Sequence, residues 1–221
     1  MATAHVFRSS IGKKYLMGLT GLGWAGFVLS HMLGNLLIFV GPEAYNKYSH
    51  ALITNPFLPV AEVGLVLLLI VHVWLAINLS IENTKARPQG YAVAPSGAKR
   101  ASVASRTMAY TGSLVLAFII LHIITFKYGP EYTATYNGVE MRDLHRLVLE
   151  VFHSPGYVAW YVVALVLLGF HLSHGFSSSF QSLGINHPRL NPVLKKAGII
   201  YSLIVVAGFI AQPLYVFLVT R

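Results

Sequence analysis

A chain of 221 residues that is 55% hydrophobic and only 10% charged falls far below the roughly 25% charged content of a soluble domain, which excludes water as its main solvent. Its formal charge of +9 raises nucleic acid as a partner, but the cations gather at the ends of apolar runs, a membrane pattern, and nucleic acid is set aside. With no cysteine, the chain can hold neither a disulfide nor a cysteine-ligated iron–sulfur cluster.

A hydrocarbon layer of about 30 Å takes roughly 20 apolar residues per helical crossing. Five runs qualify, at about 15–40, 59–80, 107–127, 157–180 and 197–219. In lipid each segment must satisfy its own backbone polar groups, and runs this long are helices rather than barrel strands. The expectation is an all-α integral membrane protein, one membrane domain over 1–221, built as a five-transmembrane-helix bundle.

In chain order, the first run follows Arg8, Lys13 and Lys14. It is too long for a signal peptide and lacks a small-x-small cleavage site, so it reads as a retained helix. GLGWAG at 21–26 matches a dinucleotide-binding pattern, but it lies inside a span with no preceding strand, so the match is accidental. The second run leads into IENTKARPQGYAVAPSGAKRASVASR, a basic stretch broken by Pro88, Gly90, Pro95 and Gly97. It should be irregular and suits a docking surface for a soluble partner. Between the third and fourth runs, Leu144, Leu147, Val148, Val151 and Phe152 recur on one helical face, predicting a short helix lying on the outer membrane surface. Pro213 in the last run predicts a kink.

Charge orients the bundle. Eleven Lys and Arg (8, 13, 14, 85, 87, 99, 100, 106, 189, 195, 196) fall on the side of the N-terminus and five (47, 127, 142, 146, 221) on the other. The positive-inside rule therefore predicts a cytoplasmic N-terminus.

Five histidines, His31, His72, His122, His171 and His174, lie inside four different spans, where ionisable groups are rare and commonly functional. His31 is 17 residues past Lys14, and His122 is 16 past Arg106, which places both toward the outer half. His72, 13 residues before Lys85, shares a level nearer the cytoplasm with His171 and His174. Two imidazoles at each of two depths are what two stacked hemes with bis-histidine ligation require. Structural zinc wants four ligands gathered at one ion, and no span offers a second ligand with partners at its level. His171 is preferred to His174 as the ligand because Gly175 follows one turn later on its face and leaves room for a macrocycle. His174 then reaches a heme propionate or hydrogen-bonds another helix.

HMLGNLLIFVGPEAYNKY, PVAEVGLVLLLIVHVW and FHLSHGFSSSFQSLGINH together resemble the diheme cytochrome b membrane anchor of succinate:quinone oxidoreductases, the succinate dehydrogenase and fumarate reductase family. The resemblance covers essentially the whole chain. It implies a proximal heme b held by His72 and His171 and a distal heme b held by His31 and His122, the pairing that depth gives independently. It also implies a flavoprotein and an iron–sulfur protein on the cytoplasmic face, a bacterial inner membrane, a quinone substrate that is menaquinone by the diheme type, and room for a higher oligomer of the complex. The function expected is that of an electron-transfer subunit of this enzyme, working in succinate oxidation or fumarate reduction. The alternative is a cytochrome b anchor of a formate dehydrogenase or hydrogenase.

Quinone chemistry moves protons, so a nearby carboxylate is useful. Glu62, ten residues before His72 and about 15 Å toward the outer side, is the candidate quinone-site acid; an interfacial carboxylate simply facing water is the competing reading. Glu43 in the adjoining loop is a weaker candidate.

Overall fold

The computed structural model describes residues 9–86 and 102–220. Arg8, Arg87, Pro88, Gly90, Pro95, Gly97, Lys99, Arg100 and Arg221, and with them most of the basic connection expected to be irregular, lie outside the described residues.

In order, the elements are α1 (Ser10–Asn35), extended by a 3-10 turn (Leu36–Phe39), α2 (Pro42–Ile53), α3 (Leu58–Lys85), the single turn α4 (Val103–Arg106), α5 (Met108–Phe126), β1 (Thr133–Tyr136), β2 (Val139–Arg142), α6 (Leu144–Phe152), α7 (Pro155–Ser182) and α8 (Leu190–Val219). Five of them, α1 with its 3-10 extension, α3, α5, α7 and α8, are long and apolar enough to cross a membrane. Several outrun their apolar stretches. α3 continues to Lys85 and α8 starts at Leu190, because helical hydrogen bonding persists through the polar interface once the span is formed. Local chemistry sets the ends: Ser9 Oγ accepts from Gly12 N at 3.1 Å to cap α1, and prolines open α2, α3 and α7, where the missing N–H costs nothing. α8 runs through Pro213 as one continuous helix.

α1 packs against α3, α7 and α8; α7 packs against α1, α5 and, along most of its length, α8. The core lies between α7 and α8, with Val158, Tyr161, Leu165, Leu168 and Leu172 against Val205 and Val216. Small residues permit the close crossings. A Cβ on Gly18 would stand 3.0 Å from Ser179 O, and one on Gly198 would stand 2.8 Å from Ser173 O, so both sites demand glycine for backbone approach. α3 and α5 are peripheral. Among the described residues, Leu75 is the buried side chain of α3 and Thr111 that of α5, while Val60, Val63 and Ile70 stand 70%, 60% and 58% exposed. In water such a face would be untenable; in lipid it is the solvated one.

Ion pairs tie α3 at both ends, Glu82 to Lys13 of α1 and Glu62 to Lys127 at the end of α5. The two glutamates are twenty residues apart, about 30 Å by helical rise and equal to the hydrocarbon thickness.

At the end of the bundle away from Ser10, α2, the β1–β2 hairpin and α6 form a cap. The hairpin turns on Asn137 (φ 53°) and Gly138 (φ 78°), the left-handed pair that a two-residue antiparallel connection needs. Asn46, fully buried, donates to Asp143 Oδ1 at 2.7 Å and to Tyr136 OH at 3.3 Å and accepts from His145 N at 2.9 Å. The helix α6 forms where the periodicity placed it, but its apolar face does not lie in the membrane surface. Leu147, Val148 and Phe152 are buried, the last two within the main core, because the upper ends of α7 and α8 offer protein to cover them.

Candidate functional site

The spans deliver their histidines in pairs. His72 of α3 faces His171 of α7 with ring centroids 6.3 Å apart and planes at 63°. His31 of α1 faces His122 of α5 at 5.7 Å and 86°. All four side chains are half-buried.

The two pairs occupy different levels. On α1, Thr20, which touches His72, precedes His31 by eleven residues, about 16 Å of rise. On α7, Tyr161, which touches His122, precedes His171 by ten, about 15 Å. On α5, Thr111, which touches His171, precedes His122 by eleven. Three helices thus give the same spacing.

Hydrogen bonds orient the rings. Thr20 Oγ1 lies 3.0 Å from His72 Nδ1 and donates to Leu16 O at 2.9 Å or Met17 O at 3.1 Å. With that proton on a helix carbonyl, Thr20 has lone pairs free to accept His72 Nδ1–H. Thr111 does the same for His171, with Oγ1 3.4 Å from Nδ1 and its proton directed to Thr107 O at 3.0 Å or Met108 O at 3.2 Å. In the tautomer protonated at Nδ1, each imidazole keeps the Nε2 lone pair available to a metal.

At the other level, His122 Nδ1 meets Tyr161 OH at 3.0 Å, and the phenol sits edge-on to Phe118, Phe126 and Phe152. His31 stacks on Phe27, with centroids 5.4 Å apart and planes at 15°. Asn35 anchors its backbone, donating from Nδ2 to His31 O at 2.9 Å, and is itself held by Tyr45 OH at 2.7 Å.

The residues fit two hemes. Imidazole nitrogen binds a metal at about 2.0–2.1 Å, and a ring centroid lies about 1.1 Å behind the nitrogen, so two trans imidazoles on one iron stand about 6 Å apart. Direct edge contact between rings gives similar separations; Thr20 and Thr111 are placed to hold the tautomer of His72 and His171 that would offer Nε2 to a metal. Among the described residues no three His, Cys, Asp or Glu side chains converge; a heme iron takes only two protein ligands. A Cβ on Gly175 would meet nothing within 4 Å, so space is open one turn beyond His171.

No family model matches this chain, and no curated protein or solved structure does.

His174, half-buried one turn along α7, accepts from Ser177 Oγ on its carbonyl at 3.2 Å; it is His171 that faces His72. Glu62 is engaged with Lys127, with side chains 41% and 44% exposed, so the carboxylate stands opposite an ammonium at the rim, five residues past His122 along α5. Glu43 pairs with Lys47 within α2 at 2.6 Å. Thr20, Thr111, Tyr161 and Asn35 contact the four histidines and are the positions that sequence reasoning missed. A hydroxyl in a membrane span is commonplace, because it can bond its own helix; only the crossing of α1 with α3, and of α5 with α7, sets these against an imidazole.

Proposed function

We propose that this chain is the diheme cytochrome b anchor of a succinate:quinone oxidoreductase, carrying electrons between an iron–sulfur partner and membrane quinone. The observation that carries the reading is the meeting of four intramembrane histidines as two pairs, 6.3 and 5.7 Å between centroids, on two levels. His72 and His171 hold one heme b through Nε2; His31 and His122 hold the other. Bound heme supplies one-electron chemistry, its iron alternating between ferrous and ferric.

The protein's part is to orient the rings through Thr20, Thr111 and Tyr161; with two histidines at each level, His72 with His171 and His31 with His122 would each hold one heme, leaving it to carry electrons rather than bind oxygen. His174 lies on the same face of α7 and is assigned to a propionate of the heme at His171. Glu62 is assigned as the proton-exchanging acid for quinone, probed by substitution to Gln, with Lys127 balancing its charge. In the same reading the N-terminus is cytoplasmic in a bacterial inner membrane, the flavoprotein and iron–sulfur proteins dock on that face, and the quinone is menaquinone.

The test is donor specificity in membranes containing the assembled complex. Succinate should reduce the b-type bands, and fumarate should reoxidise them. Reduction by formate or hydrogen, with none by succinate, would move the chain to the anchor of a different dehydrogenase.

A further inference from the structure

Two buried threonines, beyond the four ligands themselves, face His72 and His171. Thr20 is 8% exposed and Thr111 4%, and each hydroxyl lies within hydrogen-bonding reach of a carbonyl of its own helix while facing an imidazole on another. We propose that Thr20 and Thr111 are positioning residues that set the reduction potential of the iron held between His72 and His171, by accepting the Nδ1–H of each ligand. The inference rests on the heme reading above and deepens it.

The physical argument has three parts. An acceptor on Nδ1–H raises the basicity of the ring, so Nε2 donates more strongly and favours ferric over ferrous iron. A hydroxyl already donating elsewhere is polarised into a better acceptor, and low local dielectric strengthens both bonds. The arrangement is also specific to one level. At the other, His31 Nδ1 has Asn35 Nδ2 at 3.5 Å, an amide nitrogen that can only donate, and His122 Nδ1 has the Tyr161 phenol at 3.0 Å. Removing either threonine hydroxyl should therefore move one heme and leave its neighbour still.

The experiment is a potentiometric optical titration of the purified holo-complex, with the heme at His72 identified as the one missing in His72→Ala. In Thr20→Val both hemes should remain, and the heme at His72 should shift its reduced-to-oxidised ratio at fixed potential about tenfold toward reduced, about 59 mV for a one-electron couple. Thr20→Ser, which restores the hydroxyl, should return the wild-type value. Thr111→Val should shift the same heme in the same direction by less, its contact being longer, and it decides the matter if Thr20→Val fails to assemble. Two hemes with unmoved potentials, or equal shifts in both, would overturn the proposal while leaving the ligand assignment intact. A wild-type complex without b hemes would overturn the ligand assignment itself.

Discussion

Asn46 and the histidines mark two ways a polar side chain survives burial. Asn46 uses both amide donors and its oxygen, with bonds to Asp143, Tyr136 and the His145 backbone, and it locks the cap. Asn46→Ala strands those partners and should cost about 1–3 kcal/mol, seen as a lower unfolding midpoint of the cap with the heme spectrum unchanged. The membrane histidines instead meet one another in pairs across the helices. Substituting His72 or His171 by Ala should remove one of two hemes, and His31 or His122 the other, read as halved heme per chain; retention of both in all four variants would reject the assignment. Legibility at this scale was uneven. His31, His72, His122 and His171 stand out because imidazoles in apolar runs are costly. Thr20 and Thr111 do not, since a threonine bonded to its own helix carries no sign of what it faces until the helices cross.

Among the elements, the five spans were readable because length and apolarity alone define a crossing. α6 was readable as a helix but not in its surroundings, since periodicity gives a face and not what covers it. α2 and the β1–β2 hairpin went unread, although Asn137 and Gly138 carry a turn signal. The cap they form has its own pH response. Burial lowers the pKa of His145 from its ordinary 6.5, partly offset by Asp143, so folding favours neutral imidazole. The cap's stability should be level above about pH 6.5 and decline as pH falls below it. His145→Gln should flatten that decline, measured by hydrogen exchange in α6. Glu150 adds to it at lower pH: the Tyr132 hydroxyl, then Arg146, hold its pKa below 4.5, so the stability it contributes is present above that value and lost as pH falls through the folded one. At the other kind of contact, Gly198→Val would drive a side chain into Ser173 O, 2.8 Å from the new Cβ. It should separate α7 from α8 and destabilise by about 1–3 kcal/mol, measured by thermal unfolding in detergent.

Over the whole molecule the arrangement is economical. α7 and α8 supply the packed core, while α3 and α5, weakly buried and tethered to the bundle by Lys13–Glu82 and Lys127–Glu62, each bring one histidine up to a partner on α7 or α1. α3 packs along α1 and α5 along α7, and the paired rings bridge α3 to α7 and α1 to α5. Heme content therefore tests the account most directly. Extraction and quantitation of heme from the purified chain, with a reduced-minus-oxidised spectrum, should give two hemes b per chain, both low-spin and closed to carbon monoxide. A purified, folded chain with no heme, or with heme that binds carbon monoxide at an open axial position, would contradict it.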